Sequence, residues 1–563
     1  MGASLNTGMQ IYSNAEPLWV PEQSRARKLS VPAHPSHGLI HVDRIRGPLC
    51  GFALAALLLA GCGGGSAGAA ARPRPADAAL LIDSAELSRD LMAFAADSMR
   101  GRETGTPEAM RAAKFIADRL TLLGLEPVGD SMFYQRVPLV RQVLTPGTRV
   151  TVTGPRVAQE LRIGDDLAPM MTLGEGQPDP RRWVTGDVVF AGYAIASKAL
   201  HRDDFESINV ADRIAVFLHG APPGVTGALK DSLDSDAEMS RQLSRVAIQK
   251  PSAIVILMTG DATELYRQLY PSLMRNVRGR LIAAPTIPGI QIPMLLFGLA
   301  RRGTPLLPAR WPADDKAQAL TGVSLTANIV IRQEPITAYN VIGRVPGTDP
   351  ALRGTYVAFG AHYDHVGVLP PVHGDSIANG ADDDGSGSVA LLAIAKAMMV
   401  APTRRSALFV WHIGEEKGLL GSAYFTANPT VPLDSIVAQL NADMIGRNRW
   451  DRLYVVGPRA APNGQSRRLG EIIDSANARQ KMPFEIDRTW DDANHPLQIY
   501  QRSDHFNYAR HGIPIAFFTT GLHVDYHEVT DDPSRIDYDK LTRVARLMFD
   551  VGRAVGKSTT RPR

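Results

Sequence analysis

Five short polar segments in the C-terminal half of the chain carry the side chains that could do chemistry. Four of them follow apolar runs that predict β-strands, at 356–360, 407–413, 436–440 and 513–518. Imidazole and carboxylate groups dominate the segments, and zinc accepts these ligands without any thiolate. The segments are His362-Tyr363-Asp364-His365, the stretch from Asn379 to Gly387, Gly414-Glu415-Glu416, Asn441-Ala442-Asp443 and Tyr526-His527-Glu528.

Each segment also has an ordinary structural interpretation. A histidine after a strand is more often a satisfied loop residue than a metal ligand. The run Asp382–Asp384 could cap the helix that follows it, Glu415 and Glu416 could be a surface pair, and Asp443 could cap a turn. Adjacent carboxylates beyond an apolar strand nevertheless repel each other unless a cation holds them. The joint occurrence of all five segments therefore favours a metal site.

The elements around these segments alternate between strand and helix. Apolar periodicity predicts helices over Ser388–Met399 and Gly470–Arg479, between the predicted strands. This order is typical of an α/β fold with a doubly wound, mostly parallel sheet, in which chemistry gathers beyond the carboxyl ends of the strands. Near the start, we expect one helix capped by Ser84, and a second that Thr106 caps and Gly124 ends.

The stretch from about 145 to 325 consists of short β-like runs with frequent Gly and Pro. Gly192-Tyr193, Asp203-Asp204-Phe205 and the run 212–216 resemble a protease-associated domain, although a plain β-rich insertion is also consistent with them. The stretch carries no catalytic constellation. We therefore expect it to be an insertion beside the chemistry.

The N-terminus predicts an export signal. Arg44 and Arg46 precede an apolar run at 49–59 that is too short to span a bilayer as a mature helix. The run ends in Leu59-Ala60-Gly61-Cys62, which resembles a bacterial lipoprotein signal with Cys62 as the lipidated first mature residue. We expect residues 1–61 to comprise this signal and an extension upstream of the true start, with a tether at 62–78. Because Gly63 follows Cys62, we expect an outer-membrane anchor facing the periplasm or the exterior.

Composition excludes several classes of protein. The 563 residues include 61 basic and 57 acidic side chains, a net charge of +4, so no global field would attract nucleic acid. Only two cysteines are present, Cys50 and Cys62, which excludes a disulfide framework and a cysteine-rich zinc site.

The order of the motifs resembles a family of zinc exopeptidases. The chain carries H-x-D, G-A-x-D-x-x-S-G, E-E-x-G-L-x-G-S, N-x-D-M-I-G, S-D-H and Y-H in that order. The family includes secreted bacterial aminopeptidases, glutamate carboxypeptidase and the transferrin receptor. The resemblance implies a catalytic domain split between 79–145 and 326–557. It also implies a protease-associated domain inserted at 146–325.

The resemblance also implies roles for single residues around two Zn²⁺ ions. One ion would have His362, Asp383 and Asp443 as ligands; Glu416 and His527 would complete the site of the second, with Asp383 bridging. Glu415 would be the general base in the attack of a bridging water, and Asp364 would orient the ring of His362. Tyr526 would donate to the oxyanion. Loop or supporting roles are expected for His365, His373, His505 and His523, while Ser503-Asp504-His505 is expected to shape the pocket wall.

These implications predict an exopeptidase that takes peptide substrates, most simply an aminopeptidase. Alternatives are a carboxypeptidase or dipeptidase on the same scaffold, or a receptor-like protein that only binds. An acidic group would receive the free amine of an aminopeptidase substrate, whereas a basic group would receive a terminal carboxylate. Asp491, Asp492 and Arg502 lie in the relevant region, and the sequence leaves open which of them faces the pocket.

Overall fold

A computed structural model describes residues 77–155, 158–170, 183–197, 200–260, 276–279, 294–461, 465–493, 495 and 497–563. The predicted signal region, Cys62 and nearly all of the predicted tether lie outside these residues. Among the described residues, no helix combines the length and the apolar character needed to cross a membrane.

Seven of the α-helices in the described part lie in the predicted catalytic domain, and the other two lie in the predicted insertion. Numbered in chain order, the helices are α1 (Ser84–Phe94), α2 (Pro107–Leu123), α3 (Gly227–Leu233), α4 (Asp236–Ala247), α5 (Gly387–Val400), α6 (Leu420–Ala427), α7 (Arg467–Ala478), α8 (His505–Arg510) and α9 (Tyr538–Lys557). The two in the insertion are α3 and α4.

The strands fall into two large sheets and three small ones. They are β1 (Glu126–Pro127), β2 (Tyr134–Arg136), β3 (Leu139–Leu144), β4 (Arg149–Thr153), β5 (Ala158–Leu161), β6 (Leu167–Met170), β7 (Trp183–Phe190), β8 (Ala196–Ser197), β9 (Arg202–Asp203), β10 (Ile214–His219), β11 (Ala253–Met258), β12 (Asn276–Gly279), β13 (Met294–Leu299), β14 (Gln318–Asn328), β15 (Ile331–Ile336), β16 (Tyr339–Val345), β17 (Tyr356–His362), β18 (Gly367–Val372), β19 (Asp375–Ala378), β20 (Ser406–His412), β21 (Ile436–Ala442), β22 (Arg452–Val456), β23 (Glu485–Asp487) and β24 (Ile515–Thr519).

Capping residues next to the first two helices account for where α1 begins and where α2 begins and ends. In α2, Thr106 accepts a hydrogen bond from the N–H of Ala109, and Gly124 ends the helix with φ +76°, both as predicted. The prediction of Ser84 as the cap of α1 is wrong by one residue. The carboxylate of Asp83 caps that helix instead, because it accepts from the N–H groups of both Ala85 and Glu86.

The nine-stranded sheet holds the predicted site, and it is mixed rather than mostly parallel. Its order is β1-β16-β20-β17-β21-β24-β22-β23, with β2 also pairing with β16. The central strands β20, β17, β21 and β24 are parallel, as predicted. The flanks differ, since β16 runs antiparallel to β20, and β22 runs antiparallel to β24. Antiparallel neighbours need no crossover helix, so the sheet widens beyond its helix-covered centre.

Helices cover both faces of this sheet, as a doubly wound fold requires. Alternate residues of β17 face opposite sides, so Val357 and Phe359 join the core beneath α2, α5 and α9, while Ala358 joins the core beneath α6 and α8. Burial on both faces explains why the central strands are mostly apolar. The converging polar side chains therefore come from the strand ends and from the loops that follow them.

The eight-stranded sheet is formed by the predicted insertion except for the end of β14, which runs three residues past the predicted boundary at 325, and it has apolar cores of its own. Its order is β5-β4-β14-β7-β10-β11-β13-β6, and the strands β10 and β11 are buried along their whole length. The chain enters the insertion after β3 and leaves it before β15, and these two strands lie next to the nine-stranded sheet. The N–H of Thr145 donates to the carbonyl of Val330 at 2.9 Å, and β3 pairs with β15 over its full length.

Candidate metal centre

Parallel strand ends bring the polar segments to one edge of the nine-stranded sheet. His362 is the last residue of β17, while Glu415 and Glu416 follow β20. Asp443 follows the end of β21, and His527 lies in the loop beyond β24. Carboxyl ends of parallel strands meet at the same edge, which is why residues far apart in sequence converge here.

The first group of converging side chains comprises His362, Asp383 and Asp443. The Nε2 atom of His362 lies 3.1 Å from Oδ1 of Asp383 and 3.6 Å from Oδ1 of Asp443. All three side chains are buried. Their donor atoms are close enough together to share one cation.

The second group comprises His365, Asp383, Glu416 and His527. Nε2 of His527 lies 3.0 Å from Oδ2 of Asp383 and 3.0 Å from Oε2 of Glu416. Nδ1 of His365 lies 2.9 Å from Oε1 of Glu416. Asp383 thus belongs to both groups, with one carboxylate oxygen directed at each.

The neighbours of Asp383 serve the backbone instead of the site. Asp382 accepts a hydrogen bond from the N–H of Gly446 at 2.7 Å, and Asp384 accepts from the N–H groups of Gly387 at 2.9 Å and His362 at 3.2 Å. Of the three consecutive carboxylates, only Asp383 contacts the imidazoles of both groups.

Asp364 contacts the site through both its backbone carbonyl and its side-chain carboxylate. Its backbone carbonyl lies 3.0 Å from Nδ1 of His362, whereas the nearest carboxylate oxygen is 3.9 Å from that nitrogen. The carboxylate instead accepts hydrogen bonds from the hydroxyl of Thr104 and, at 3.3 Å, from the N–H of Glu415. The orientation of the His362 ring therefore comes from the carbonyl of Asp364, and its carboxylate positions the Glu415 backbone.

Glu415 shares a group of donor atoms with His362 and Glu416. Burial raises the pKa of its carboxyl well above the ordinary value, and the charges of Glu416 and Asp443 add to that shift against the opposing effect of His362. A carboxylate with a raised pKa has an increased affinity for a proton, which suits a general base.

Tyr526 and His527 form the outer wall of the second group. Their rings are stacked with centroids 3.8 Å apart. His527 has φ +58°, in the left-handed region that a residue with a Cβ rarely occupies. Burial raises the pKa of the Tyr526 phenol, so its hydroxyl keeps its proton and can donate a hydrogen bond.

The electrostatics of the groups favour bound cations. Burial disfavours a charge on His362, yet Glu415 and Asp443 hold its pKa well above the ordinary value. Burial also opposes ionisation of Asp383, but the imidazoles of His362 and His527 keep its pKa well below the usual range. Nε2 of His362 approaches two carboxylates without making a hydrogen bond to either, as expected of a nitrogen that shares a metal with them.

Three contributors to the site were missed by sequence reasoning. His365 lies in the second group although a loop or supporting role was expected of it. Asp531 is fully buried and accepts from the N–H groups of Asp382 at 3.0 Å and Asp383 at 3.1 Å. Arg102 is also fully buried, and it donates to the carbonyls of Tyr363, Asn379 and Gly380. The H-x-D-H string could have indicated His365, whereas no local pattern marks Asp531.

The residues considered for substrate recognition differ in their environments. Asp491 is buried and accepts from the N–H groups of Gly457, Arg459 and Ala460, which commits it to that loop. Asp492 is exposed, and Arg502 is half-buried with its charge acting on Tyr526.

The other histidines expected in supporting roles lie in three different environments. His373 is exposed, His505 donates from Nε2 to the carbonyl of Tyr500, and Nε2 of His523 lies 3.2 Å from Oδ2 of Asp382. Ser503 accepts from the side-chain amide of Asn441 at 2.9 Å.

Comparisons with known proteins agree with this geometry. Residues 340–552 match the model of peptidase family M28. Over 201 residues the chain is 33% identical to the probable leucine aminopeptidase 2 of Aspergillus oryzae, covering 35% of this chain and 37% of that protein. It is 27% identical over 229 residues to aminopeptidase Y of Saccharomyces cerevisiae, covering 38% of each protein.

The chain spans between 37% and 56% of the length of the first curated relatives it matches. Among solved structures, an aminopeptidase from Aneurinibacillus superimposes with a TM-score of 0.53 at 18% identity, covering 86% of this chain and 97% of that one. This likeness identifies the fold.

Proposed function

From the match of residues 340–552 to the model of peptidase family M28, we propose that the protein is a metallo-aminopeptidase that releases N-terminal residues from peptides. The observation that carries the proposal is the placement of Asp383. Its two carboxylate oxygens lie 3.1 Å and 3.0 Å from the imidazoles of His362 and His527. A carboxylate shared in this way suits a pair of metal ions.

The donor set fits zinc, and we propose two Zn²⁺ ions per chain. His362, Asp383 and Asp443 would hold one ion, and Asp383, Glu416 and His527 would hold the other. Zinc bound there supplies Lewis-acid chemistry, since it polarises a peptide carbonyl and lowers the pKa of water. The buried imidazole and carboxylate groups, without thiolates, are the ligands this chemistry uses.

Glu415 is the general base in this proposal. It takes the proton of the attacking water and returns it to the leaving amine, and its raised pKa suits both transfers. The protonated hydroxyl of Tyr526, beside His527, donates to the oxyanion that develops on the scissile carbonyl. Asp364 supports both sites through its contacts with His362 and Glu415.

Paired substrates test the proposed activity. We expect the purified protein to hydrolyse leucine p-nitroanilide and to leave N-acetyl-leucine p-nitroanilide intact. A chelator should abolish the activity, and added Zn²⁺ should restore it. Equal cleavage of the blocked substrate would contradict an aminopeptidase, and full activity in the chelator would contradict a metal-dependent enzyme.

A carboxypeptidase or dipeptidase is the second candidate, and the state of Asp491 favours testing it. That carboxylate is held by three backbone N–H groups, so it does not offer a receptor for a free amine. Arg502 could instead receive a terminal carboxylate near Tyr526. Cleavage of N-acetylated dipeptides would identify this activity.

For the insertion, we propose a protease-associated domain at 146–325 within a catalytic domain formed by 79–145 and 326–557. Its separate eight-stranded sheet supports this division. A receptor-like protein that only binds is disfavoured, because every proposed ligand and the proposed base are present.

At the N-terminus, we propose a bacterial lipoprotein anchored at the outer membrane through Cys62, facing the periplasm or exterior. The sequence Leu59-Ala60-Gly61-Cys62 supports this anchor. Cells expressing the protein should incorporate radiolabelled palmitate into it, and Cys62→Ala should abolish the label. Label retained by that variant would contradict the anchor.

A further inference from the structure

His365 lies in the second group and is more buried and more closely contacted than an ordinary loop residue. Its side chain is fully buried, and Nδ1 lies 2.9 Å from Oε1 of Glu416 and 3.7 Å from Oδ2 of Asp383. Its ring meets the ring of His527 edge-on, with centroids 5.5 Å apart. Nδ1 is the only ring nitrogen engaged, since Nε2 is buried without a hydrogen-bond partner among the described residues.

Two chain segments hold His365 in place, one against its backbone and one against its ring. The N–H of His365 faces the carbonyl of Arg102 at 3.4 Å, and Glu103 forms a parallel bridge with His365. Gly380, with φ +60°, lies against the ring so closely that a Cβ there would be 2.5 Å from Cδ2. The direction of Nδ1 is thus imposed by the surrounding backbone.

The separations of the donor atoms match those around one ion. Ligand atoms of a tetrahedral zinc site with bonds of about 2.0–2.1 Å lie about 3.3 Å apart. In the second group, Nδ1 of His365 lies 2.9 Å from Oε1 of Glu416 and 3.7 Å from Oδ2 of Asp383. Nε2 of His527 lies 3.0 Å from Oδ2 of Asp383 and 3.0 Å from Oε2 of Glu416. One ion can therefore reach all four side chains.

We propose that His365 is a fourth protein ligand of the second metal ion, through Nδ1. The inference rests on the proposed metal centre and goes beyond the ligands expected from the resemblance. The second site then has four protein ligands, namely His365, Asp383, Glu416 and His527. The first has three, namely His362, Asp383 and Asp443. A complete protein shell is typical of tightly held ions, whereas three protein ligands leave a position open for substrate.

Two variants separate a ligand from a residue that only positions Glu416. His365→Asn places an amide N–H near the position of Nδ1, so it can still donate to Glu416 but contributes no imidazole. His365→Phe removes both functions. His219→Asn is the matched control, because His219 is a buried histidine of β10 whose Nδ1 lies 2.8 Å from Oε1 of Gln242.

The experiment loads the full chain with one and two equivalents of Zn²⁺ and measures affinity by competition with a chelating dye. Zinc-edge X-ray absorption then counts the imidazoles bound. For the wild type and His219→Asn we expect three imidazoles over two ions. For His365→Asn and His365→Phe we expect two imidazoles, and one binding step weakened about tenfold or more.

Two results would overturn the assignment. One is a wild type with two imidazoles over two ions; the other is wild-type affinity in His365→Asn, which would make His365 a positioning residue for Glu416. In both cases two ions still bind, and leucine p-nitroanilide is still cleaved by the wild type. A failure of the proposed function differs, because the wild type then binds no stoichiometric zinc and cleaves nothing.

Discussion

At this centre, the function of a carboxylate depends on whether its oxygen atoms already accept hydrogen bonds from the backbone. Asp382, Asp383 and Asp384 are identical in chemistry and consecutive in sequence. Backbone N–H groups nevertheless donate hydrogen bonds to the carboxylates of the first and the last. Of the three, only Asp383 faces the imidazoles of both groups. The same distinction separates Glu415 from Glu416, since only Glu416 lies between His365 and His527.

Replacement of Glu415 by glutamine tests this division of roles. We expect kcat to fall by about 10²–10⁴-fold, because the amide cannot accept the proton of water, while zinc content stays unchanged. Glu416→Gln is the matched variant, and we expect it to lose zinc from the second site. Atomic absorption and leucine p-nitroanilide turnover give both quantities. Zinc lost from Glu415→Gln and retained by Glu416→Gln would mean that the two roles are exchanged.

A buried histidine outside the two groups predicts how stability depends on pH. Burial lowers the pKa of His505 to about 3, from an ordinary value near 6.5. Between those values the unfolded chain binds a proton that the folded chain does not, so the free energy of unfolding falls as pH falls. The slope from this residue is about 1.4 kcal/mol per pH unit below pH 6.5.

His505→Gln removes that proton-binding site. The stability advantage of the wild type over this variant should therefore shrink as pH is lowered from 6.5 to 4.5. Urea denaturation of both proteins across this range measures the difference. Parallel stability profiles would show that His505 is not the group responsible.

At the level of elements, the loop between β19 and α5 positions Asp383 and His365 together. Gly380 has φ +60°, and a Cβ on it would lie 2.4 Å from the carbonyl oxygen of Asp383. Arg102 donates to the carbonyls of Asn379 and Gly380, which fixes the same loop from the N-terminal segment. A change in this backbone displaces the second group without touching any ligand.

Gly380→Ala tests that coupling. We expect a loss of more than about 3 kcal/mol in unfolding free energy and weaker zinc binding, because both the φ angle and the contacts oppose a Cβ. Gly374→Ala is the control, since Gly374 has φ +90° and no atom near its Cβ position. That variant should cost about 1–2 kcal/mol and leave zinc affinity unchanged. If the two variants lose the same unfolding free energy and zinc affinity, the positive φ angle alone, and not the contacts at Gly380, causes the loss.

At the scale of the whole molecule, the two large sheets have separate cores, and the chain enters and leaves the predicted insertion at neighbouring points. Thr145 and Val330 are hydrogen-bonded there, and the β3–β15 ladder continues from that point. Segments whose ends meet in this way are tolerated as insertions, because removing them leaves a short gap.

We therefore expect replacement of residues 149–328 by a short Gly-Ser linker to give a chain that folds and binds two zinc ions. The reason is that no proposed ligand, nor Arg102 or Asp531, lies in the excised stretch. Circular dichroism and zinc content measure the outcome. Failure of this chain to fold, with the full chain as control, would make the insertion part of the catalytic core.

The sequence alone determined the features that depend on neighbouring residues. A capping threonine and a glycine bound α2, and polar segments mark the ends of buried strands. These signals are local, so no partner element is needed to interpret them. The family motifs added the identities of His362, Asp383 and Glu416 as candidate ligands.

Only the tertiary structure decided the features that depend on distant contacts. The mixed direction of the nine-stranded sheet depends on which strands become its edges, and the burial of Asp531 depends on where its loop crosses the loop after β19. His365 lies three residues from His362, yet it joins the other group because Arg102, Glu103 and Gly380 turn its ring there. Metal ligation depends on where side-chain atoms converge, and that convergence exists only once the chain has packed.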